Sequence, residues 1–382
     1  MSETLPALPL PDGVRARFVD NGNGLSMHML EAGYDTPQRP CIVLLHGFPE
    51  LAYSWRKVMK PLADAGFHVV APDQRGFGRT GGADMSFAAD LADYAMPNLV
   101  ADTLGLVFAL GHTSVAAVVG HDFGSFVAAW CALIRPDVFS SLVMMSAPFA
   151  GPPRFQFDDA PSPTMADALD ALASLDPPRK YYQRYFSEPQ ANDDMWHAPQ
   201  GLADFLRAYW HVKSADWSGN RPHPLVAPAV EELALLPAYY VMRADQTMPA
   251  TVAQYMPSPE QIASCGWLDD AELHVYAGEF ARTGFQGGLN WYRASGDERQ
   301  AARLRLWSGR TIDVPACFIA GSSDWGCYQR PGDLEAMRQR ACTNLRAMHF
   351  IEGAGHWVQQ EQARTVVSRI LRFLRQDAPP IF

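Results

Sequence analysis

The sequence predicts an α/β protein in which a mainly parallel β-sheet is covered by helices and interrupted by one helical insertion. Short apolar runs alternate with helix-like stretches from about residue 14 to residue 148, which is the pattern of βαβ units. The same alternation returns late in the chain. Residues 149–310 are rich in Pro, Trp and Tyr without clear strand alternation, which favours an inserted helical cap. We therefore predict a first core segment at 1–148, a cap domain at 149–310 and a second core segment at 311–382.

The first four of six apolar runs are predicted to form central strands, the last two are predicted to complete the sheet, and helices are predicted between them. The strands are Cys41–Leu45, His68–Ala71, Ser114–Val119, Ser141–Met145, Ala316–Ala320 and Leu345–Ile351. The helices are Ser54–Ala65, Asn98–Leu110, Ser125–Ile134, Asp333–Arg340 and Gln362–Arg375. In the cap, long loops are expected at Ser218–Pro228 and Met248–Pro259. The chain around Trp210–His223 and Tyr239–Pro259 is also longer than a minimal cap needs.

Composition narrows the class of protein. A chain of 382 residues with 48% hydrophobic content can bury a closed active site, in one large domain with an insertion or in two domains. The net charge of −10 is spread without a Lys/Arg cluster, so nucleic acid is not an expected partner. The longest apolar runs fall short of the roughly 20 residues that a membrane span needs. We read no signal peptide in Met1–Gly13, and the six cysteines lack paired short spacings, so we expect reduced thiols and a cytoplasmic protein.

The most informative motif is Gly120-His121-Asp122-Phe123-Gly124, which follows an apolar run and precedes the helix-prone stretch Ser125–Leu133. This is the pattern of a nucleophile elbow, a tight strand-to-helix turn that exposes one reactive side chain. Here that side chain is the carboxylate of Asp122. A carboxylate displaces a leaving group from sp3 carbon and forms an alkyl ester that water must later cleave. The motif therefore predicts alkyl-transfer hydrolysis, not peptidase or lipase activity.

A second turn, His46-Gly47-Phe48-Pro49, closes the predicted strand Cys41–Leu45 at the same edge of the sheet. Its position suits an oxyanion hole. We expect the backbone N–H groups of Phe48 and Phe123 to meet at the oxygen that becomes negative when water attacks the ester. By itself the motif is equally compatible with a simple tight turn.

Cleavage of the ester requires a base. His356 lies in Gly353–Trp357, directly after the last predicted strand, where a loop can bring an imidazole beside Asp122. An acid should orient this histidine, and Asp324 fits because it follows the predicted strand Ala316–Ala320. The alternatives are a loop histidine without a catalytic role and a helix-capping or turn aspartate.

With these residues, nearly the whole chain resembles the epoxide hydrolase branch of the α/β-hydrolase superfamily. Two cap passages carry the resemblance further, Tyr182–Pro189 and Phe285–Arg293. The resemblance implies an α/β-hydrolase fold with an eight-stranded, mainly parallel sheet and a helical cap. It also implies that a tyrosine from each passage points at the epoxide oxygen, and the matching positions are Tyr182 and Tyr292. Tyr181 and Tyr185 are close competitors for the first position.

Phenols suit that task, because the alkoxide left by ring opening is a poor leaving group unless it is protonated or hydrogen-bonded. With an ordinary pKa of about 10, a phenol still carries its proton at neutral pH. Three further polar residues, His46, Glu50 and His121, are secondary candidates. The resemblance implies that Glu50 and His121 help to place the hydrolytic water, and a structural role is the alternative.

Aromatic residues near these motifs predict an apolar pocket for a lipophilic epoxide, although core packing explains each of them equally well. They are Trp55, Phe123, Trp291 and Trp357. The sequence thus predicts an epoxide hydrolase that forms a vicinal diol from an epoxide and water, uses no metal or cofactor, and acts as a monomer or homodimer.

Two other functions remain as alternatives. A haloalkane or haloacid dehalogenase would use the same nucleophile. Haloalkane dehalogenases usually have Trp after the nucleophilic Asp and often have Asn in the H-G-x-P turn. Fluoroacetate dehalogenases usually have Arg after that Asp. This chain has Phe123 after Asp122 and Phe48 in the turn. Many epoxide hydrolases also have Trp after the Asp, so Phe123 departs from that pattern too. A non-catalytic ligand-binding protein has no use for the complete set of site residues.

Overall fold

A computed structural model describes residues 5–155 and 164–377. Its strands in chain order are β1 (Val14–Asp20), β2 (Ser26–Ala32), β3 (Cys41–Leu45), β4 (His68–Pro72), β5 (Ala117–His121), β6 (Leu142–Met145), β7 (Arg179–Tyr181), β8 (Val241–Arg243), β9 (Ala316–Gly321) and β10 (Leu345–Ile351). Eight of them form one sheet in the order β1-β2-β4-β3-β5-β6-β9-β10. Strand β2 is antiparallel to both of its neighbours and the remaining pairs are parallel. The predicted mainly parallel eight-stranded sheet is confirmed.

The helices cover the sheet and build the segment between β6 and β9. Those outside the segment between β6 and β9 are α1 (Arg56–Asp64), α2 (Met96–Ala109), α3 (Phe123–Ile134), α14 (Asp333–Ala336), α15 (Val358–Glu361) and α16 (Ala363–Gln376). Those between β6 and β9 are α4 (Met165–Ala171), α5 (Tyr182–Phe186), α6 (Ala191–Trp196), α7 (Leu202–Lys213), α8 (Val230–Leu233), α9 (Met248–Ala253), α10 (Pro259–Ser264), α11 (Asp270–Thr283), α12 (Gln286–Gly296) and α13 (Glu298–Leu304). No helix of the described residues is long and apolar enough to cross a membrane.

The core is divided by the sheet into two clusters, because successive side chains of a strand point to opposite faces. In β3, Val43 and Leu45 face the cluster formed with α2, α3 and the cap, whereas Ile42 and Leu44 face the cluster formed with α1 and α16. The central strands are buried on both faces, which explains why continuous apolar runs predicted them.

The predicted strands agree with the observed ones to different degrees. Strands β3 and β10 have their predicted bounds, but the run at Ser114–Val119 pairs regularly only from Ala117 and continues to His121. Val115 forms only an isolated bridge with Phe139. Strands β1 and β2 were not predicted individually; in β1 only Val14 and Val19 are buried, so it carries no apolar run.

The cap departs from the sequence prediction in three places. Strands β7 and β8 pair antiparallel over three residues each, where no strand was expected, and they are too short to leave an alternating pattern. The predicted loop at Met248–Pro259 begins with helix α9, since the Thr247 side chain accepts from the Ala250 N–H and caps it. The segment Trp210–His223, which was predicted to be longer than a minimal cap needs, begins inside helix α7. Residues 218–228 contain no helix or strand, as predicted.

The structure also bears on the ends of the predicted domains. The last strand before the cap, β6, ends at Met145, and the next strand of the sheet, β9, begins at Ala316. The domain boundaries themselves remain a prediction. Residues 1–4, at the start of the segment in which no signal peptide was read, and 378–382, at the end of the second core segment, lie outside the described residues.

Candidate active site

Asp122 lies at the turn between β5 and α3, with φ 52° and ψ −122°. A non-glycine residue rarely adopts a positive φ, and such strain is held in place by its surroundings. The Asp122 N–H donates to the Met145 carbonyl over 3.1 Å. Gly124 allows α3 to pass close to β3, because a Cβ there would overlap the carbonyl oxygen of Leu45. The motif therefore forms the elbow that its glycines predicted.

The two carboxylate oxygens of Asp122 have different surroundings. The Phe48 N–H donates to Oδ1 over 3.0 Å, and Gly47 makes this approach possible because a Cβ there would collide with the Asp122 side chain. Oδ2 lies 3.4 Å from Nε2 of His356. Phe123 is the first residue of α3, so its N–H has no acceptor within the helix and is available as a second donor.

His356 lies between two acids, as its predicted role requires. Its Nδ1 is 3.0 Å from Oδ1 of Asp324, which places the ring proton on Nδ1 because a carboxylate accepts. Its Nε2 has no hydrogen-bond partner among the described residues, and it faces Asp122. The structure therefore brings Asp122, His356 and Asp324 together in the order that a nucleophile, base and orienting acid require.

Both aspartates are buried and ionised. Burial raises the pKa of Asp122, but the close approach of the His356 imidazole, with the charges of Lys213 and His121, outweighs burial, so the net pKa lies well below the ordinary value. Burial likewise opposes ionisation of Asp324, and the His356 charge and the Gly326 N–H bring its pKa below normal. A carboxylate that stays ionised is available as a nucleophile at neutral pH.

The two predicted tyrosines face each other across the cap side of the site. The rings of Tyr182 and Tyr292 are buried, with centroids 6.0 Å apart, and Tyr292 packs edge-on against Phe48 and Phe123 at 5.5 and 5.4 Å. Burial, with the charge of Asp122, raises the pKa of both phenols well above 10. Both phenols are therefore neutral and can donate a proton.

The competitors of Tyr182 make different ring contacts, although Tyr181 shares the acceptor Gln329 with Tyr182. The Tyr185 hydroxyl donates to Asp194 over 3.0 Å, and its ring lies under the ammonium of Lys180. Tyr181 packs on Tyr182 and donates to Gln329 over 2.8 Å. Of these three rings, only that of Tyr182 contacts Tyr292.

Comparison with known proteins agrees with this geometry. Residues 40–363 match the family model of the alpha/beta hydrolase fold. Epoxide hydrolase A of Mycobacterium tuberculosis is 35% identical over 94% of this chain and 96% of its own length, and an epoxide hydrolase of Caballeronia sordidicola is 31% identical over 92% of each. This chain belongs to the epoxide hydrolases of the α/β-hydrolase superfamily. The predicted family is thus confirmed.

Solved structures place this epoxide hydrolase in the same family. An epoxide hydrolase from an endophytic Streptomyces superposes with a TM-score of 0.75 at 31% identity, covering 96% of this chain and 98% of that one. Epoxide hydrolase A from Mycobacterium thermoresistibile gives 0.72 at 32% identity, covering 96% and 99%. The predicted α/β-hydrolase fold is confirmed over nearly the whole chain.

Behind Asp122 of this epoxide hydrolase lies a fully buried pair, His121 and Glu50. Nδ1 of His121 is 2.5 Å from Oε2 of Glu50, and its Nε2 is 2.7 Å from the His356 carbonyl oxygen, which can only accept. Glu50 accepts from the Gly47 N–H and from Gln359, so it is ionised and His121 carries both ring protons. Burial lowers the pKa of His121 but the charge of Glu50 raises it, and the net pKa is above normal. The pair joins the oxyanion turn to the His356 loop.

His46 has a different environment. Its Nε2 accepts the Gln74 N–H over 3.1 Å and its Nδ1 lies 2.9 Å from the Gly47 carbonyl oxygen, so the ring is neutral and ties the turn to the chain after β4. Burial lowers its pKa, which agrees with the neutral form. His46 contacts the backbone of the oxyanion turn, not the Asp122 carboxylate.

The predicted pocket aromatics divide between the two faces of the sheet. Trp291 packs on Phe123 at 5.1 Å, and its N–H donates to the Arg75 carbonyl. Trp357 packs on the His356 ring at 4.7 Å. Trp55 lies in the second cluster, beneath the opposite face with α1 and α16, so the prediction that it lines the pocket is wrong. Side-chain direction at a helix start cannot be read from proximity in sequence.

Three residues of this site were missed from the sequence because they come from distant segments. The Gln329 side-chain oxygen accepts from both Tyr181 and Tyr182. The Lys213 ammonium is buried within 5.4 Å of the ring centroids of Tyr209, Tyr240 and Trp357. Glu361 accepts from the N–H groups of Ala215, Gly355 and Trp357, which joins the cap to the His356 loop. No motif in the sequence indicated any of the three.

Proposed function

We propose that this protein hydrolyses a lipophilic epoxide to a vicinal diol through an ester on Asp122. The proposal rests on the different surroundings of the two oxygens of that carboxylate. Oδ1 accepts from the Phe48 N–H, and Oδ2 is directed toward His356. One oxygen can therefore attack carbon while the other later carries negative charge at a prepared donor.

In the first step, Oδ2 of Asp122 forms a bond to one ring carbon, and the bond from that carbon to the ring oxygen breaks. The ring oxygen takes a proton from Tyr182 or Tyr292 while the other phenol donates a hydrogen bond to it. The Tyr182 hydroxyl donates to the Gln329 side-chain oxygen over 3.2 Å and accepts from Gln183 over 3.0 Å, so its proton leaves Gln329 when it turns to the ring oxygen.

In the second step, Nε2 of His356 takes a proton from water, and the hydroxide adds to the carboxyl carbon of the ester. Negative charge then develops on Oδ1, facing the N–H groups of Phe48 and Phe123. The carbon–oxygen bond of the ester breaks, and the carboxyl proton passes to the departing alkoxide. The proton on His356 returns to the phenolate, so one water is consumed and no net proton.

The surroundings favour an apolar substrate. Phe48, Phe123, Phe186 and Tyr182 all contact the Tyr292 ring, so the space above Asp122 is bounded by aromatic groups. All six cysteines are free, which suits the reducing cytoplasm. We expect a cytoplasmic enzyme that needs no cofactor and acts as a monomer or homodimer.

A single-turnover experiment in heavy-oxygen water tests the covalent step. With enzyme in excess, the first diol should contain no label, because its new oxygen comes from Asp122, and the label should appear on that carboxylate. Later turnovers should release labelled diol. Full labelling of the first diol would contradict the ester mechanism.

A substrate panel tests the leaving group. Terminal, trans-disubstituted and aryl epoxides are assayed beside haloalkanes with the wild type and with Asp122→Ala. We expect turnover of epoxides only, and none by the variant. Turnover restricted to haloalkanes would indicate a dehalogenase, and epoxide hydrolysis that survives Asp122→Ala would exclude this nucleophile.

A further inference from the structure

A second group of reactive side chains lies at the edge of the sheet opposite Asp122. Cys41 and His68 are the first residues of the parallel strands β3 and β4 and are direct partners in register. Residues opposite each other in a sheet point to the same face, so both side chains face α2. His112 follows the C-terminal end of α2, where its N–H donates to the Val107 carbonyl over 3.1 Å. Three separate segments thus place these side chains together.

Their possible ligand atoms form a compact set. Nδ1 of His68 lies 2.9 Å from Nε2 of His112, and the thiol of Cys41 completes a group whose atoms all lie within 4.8 Å of one another. Cys41 is buried, whereas the two histidines are partly exposed, so an ion has a route to them from the edge of the sheet.

A carboxylate behind His68 fixes the direction of its lone pair. Oε2 of Glu31 is 3.3 Å from Nε2 of His68. The side chains of Arg15 and Arg17 both pair with Glu31, so this carboxylate has two cationic partners besides His68. Glu31 is therefore an acceptor, and Nε2 of His68 holds its proton. The lone pair of His68 then lies on Nδ1 and accepts the Nε2–H of His112 over 2.9 Å, a proton that a bound ion would replace. Metal-binding histidines are commonly oriented by such a carboxylate.

We propose that Cys41, His68 and His112 form a binding site for a transition-metal ion of the zinc class. Thiolate and imidazole are the ligands that Zn²⁺ prefers, and three of them leave a fourth position for water. Zinc–ligand distances of about 2.3 Å to sulfur and 2.0 Å to nitrogen place tetrahedral ligand atoms roughly 3.5 Å apart. That spacing is wider than the 2.9 Å between the two histidine nitrogens and lies within the 4.8 Å that encloses the whole cluster, so binding requires these side chains to move.

The position of the site predicts its effect. It lies at the N-terminal ends of the strands, whereas the elbow lies at their C-terminal ends. An ion that binds the folded chain stabilises it by mass action, because the unfolded chain does not hold the three ligands together. We expect bound zinc to raise the unfolding temperature and leave epoxide turnover unchanged. This inference does not depend on the proposed function.

Titration with Co²⁺ tests the site, because cobalt reports both geometry and sulfur ligation in its absorption spectrum. The full chain is freed of metal by chelation and titrated with Co²⁺, then with Zn²⁺. We expect one equivalent of tetrahedral cobalt with a thiolate charge-transfer band, displaced by Zn²⁺ and not by Mg²⁺. A titration without that band at one equivalent would overturn the proposal.

Variants locate the ion. His112→Asn should weaken Co²⁺ binding at least about tenfold, the lower end of what loss of a supporting group costs. Cys41→Ser should abolish the thiolate band. His274→Asn, at an exposed histidine of α11, and Cys131→Ser, at a buried cysteine of α3, are the matched controls and should bind as the wild type does. Because His112 is outside the catalytic site, retained turnover shows that its variant is folded. Unchanged binding by folded His112→Asn would overturn the proposal.

Discussion

The carbonyl oxygen of Lys213 accepts the backbone N–H of His356 over 2.9 Å. Lys213 is the last residue of cap helix α7, so the cap holds the loop of the proposed base by a main-chain hydrogen bond. Gly355 allows this close approach, because a Cβ there would lie 2.5 Å from the same oxygen. The position of the imidazole therefore depends on how the cap docks on the sheet.

Gly355→Ala should separate the cap from the His356 loop. We expect kcat/KM to fall about 100-fold, the cost of misplacing a catalytic group by around 1 Å. The free energy of unfolding should fall by about 1–3 kcal/mol through overpacking. Epoxide kinetics measure kcat/KM, and urea unfolding measures the free energy of unfolding. Gly278→Ala in α11, whose added Cβ would meet no atom of the described residues within 4 Å, is the control and should keep wild-type kinetics. Wild-type kcat/KM in Gly355→Ala would refute the coupling.

Removing either cap phenol should slow ester formation. Tyr292→Phe and Tyr182→Phe each keep the ring but lose the proton, and we expect the rate of ester formation to fall by about 10²–10⁴. Rapid mixing of enzyme and epoxide, followed by tryptophan fluorescence, measures that step. Tyr181→Phe and Tyr185→Phe are matched controls from the same passage and should retain the rate. A loss in Tyr181→Phe with none in Tyr182→Phe would reassign the donor.

The His121–Glu50 pair should contribute a pH-dependent stability. The pKa of Glu50 is lowered on folding, because the His121 charge and hydrogen bond outweigh burial, so its contribution is present above about pH 4.3 and is lost as pH falls through the folded value. The pKa of His121 is raised, so its contribution is complete below about pH 6.5 and is lost as pH rises through the folded value. The pair is therefore most stabilising between about pH 4.3 and 6.5.

Glu50→Gln tests this window. We expect the variant to lose about 3–5 kcal/mol of unfolding free energy inside the window, since a buried charge loses its partner. The difference from wild type should shrink at higher pH. Urea unfolding at a series of pH values measures it. A difference that stays constant from pH 5 to pH 9 would show that His121 does not carry the charge.

Glu361 should act on catalysis through the loop that it holds. Glu361→Gln replaces one accepting oxygen by an NH2 group, which faces backbone donors instead of accepting from them. We expect kcat to fall about tenfold to 100-fold through displacement of His356, with a smaller change in KM. Glu352→Gln, at an exposed position of the same loop, is the control. Equal kinetics for the two variants would exclude a positioning role.

Local patterns in the chain were sufficient to predict the strand-to-helix elbow at Asp122, the turn at Phe48 and the loop of His356. Asp122 and Phe48 each follow a central strand that is buried on both faces, whereas the His356 loop follows the apolar run of the edge strand β10, which is only partly buried. Because parallel strands end at the same edge of the sheet, the order of these motifs along the chain also predicted that they meet. The geometry of Asp122, His356 and Asp324 follows from that topology.

Only the tertiary structure decided what surrounds these groups. Lys213, Gln329 and Glu361 reach the site because the cap docks on the sheet, and no periodicity in sequence records that contact. Trp55 was expected at the pocket and lies beneath the opposite face, because side-chain direction depends on how its segment packs. Strands β7 and β8 form by pairing with each other across 59 intervening residues, from Tyr182 to Tyr240. Sequence therefore determined the reacting groups, and long-range packing decided their orientation and their protonation.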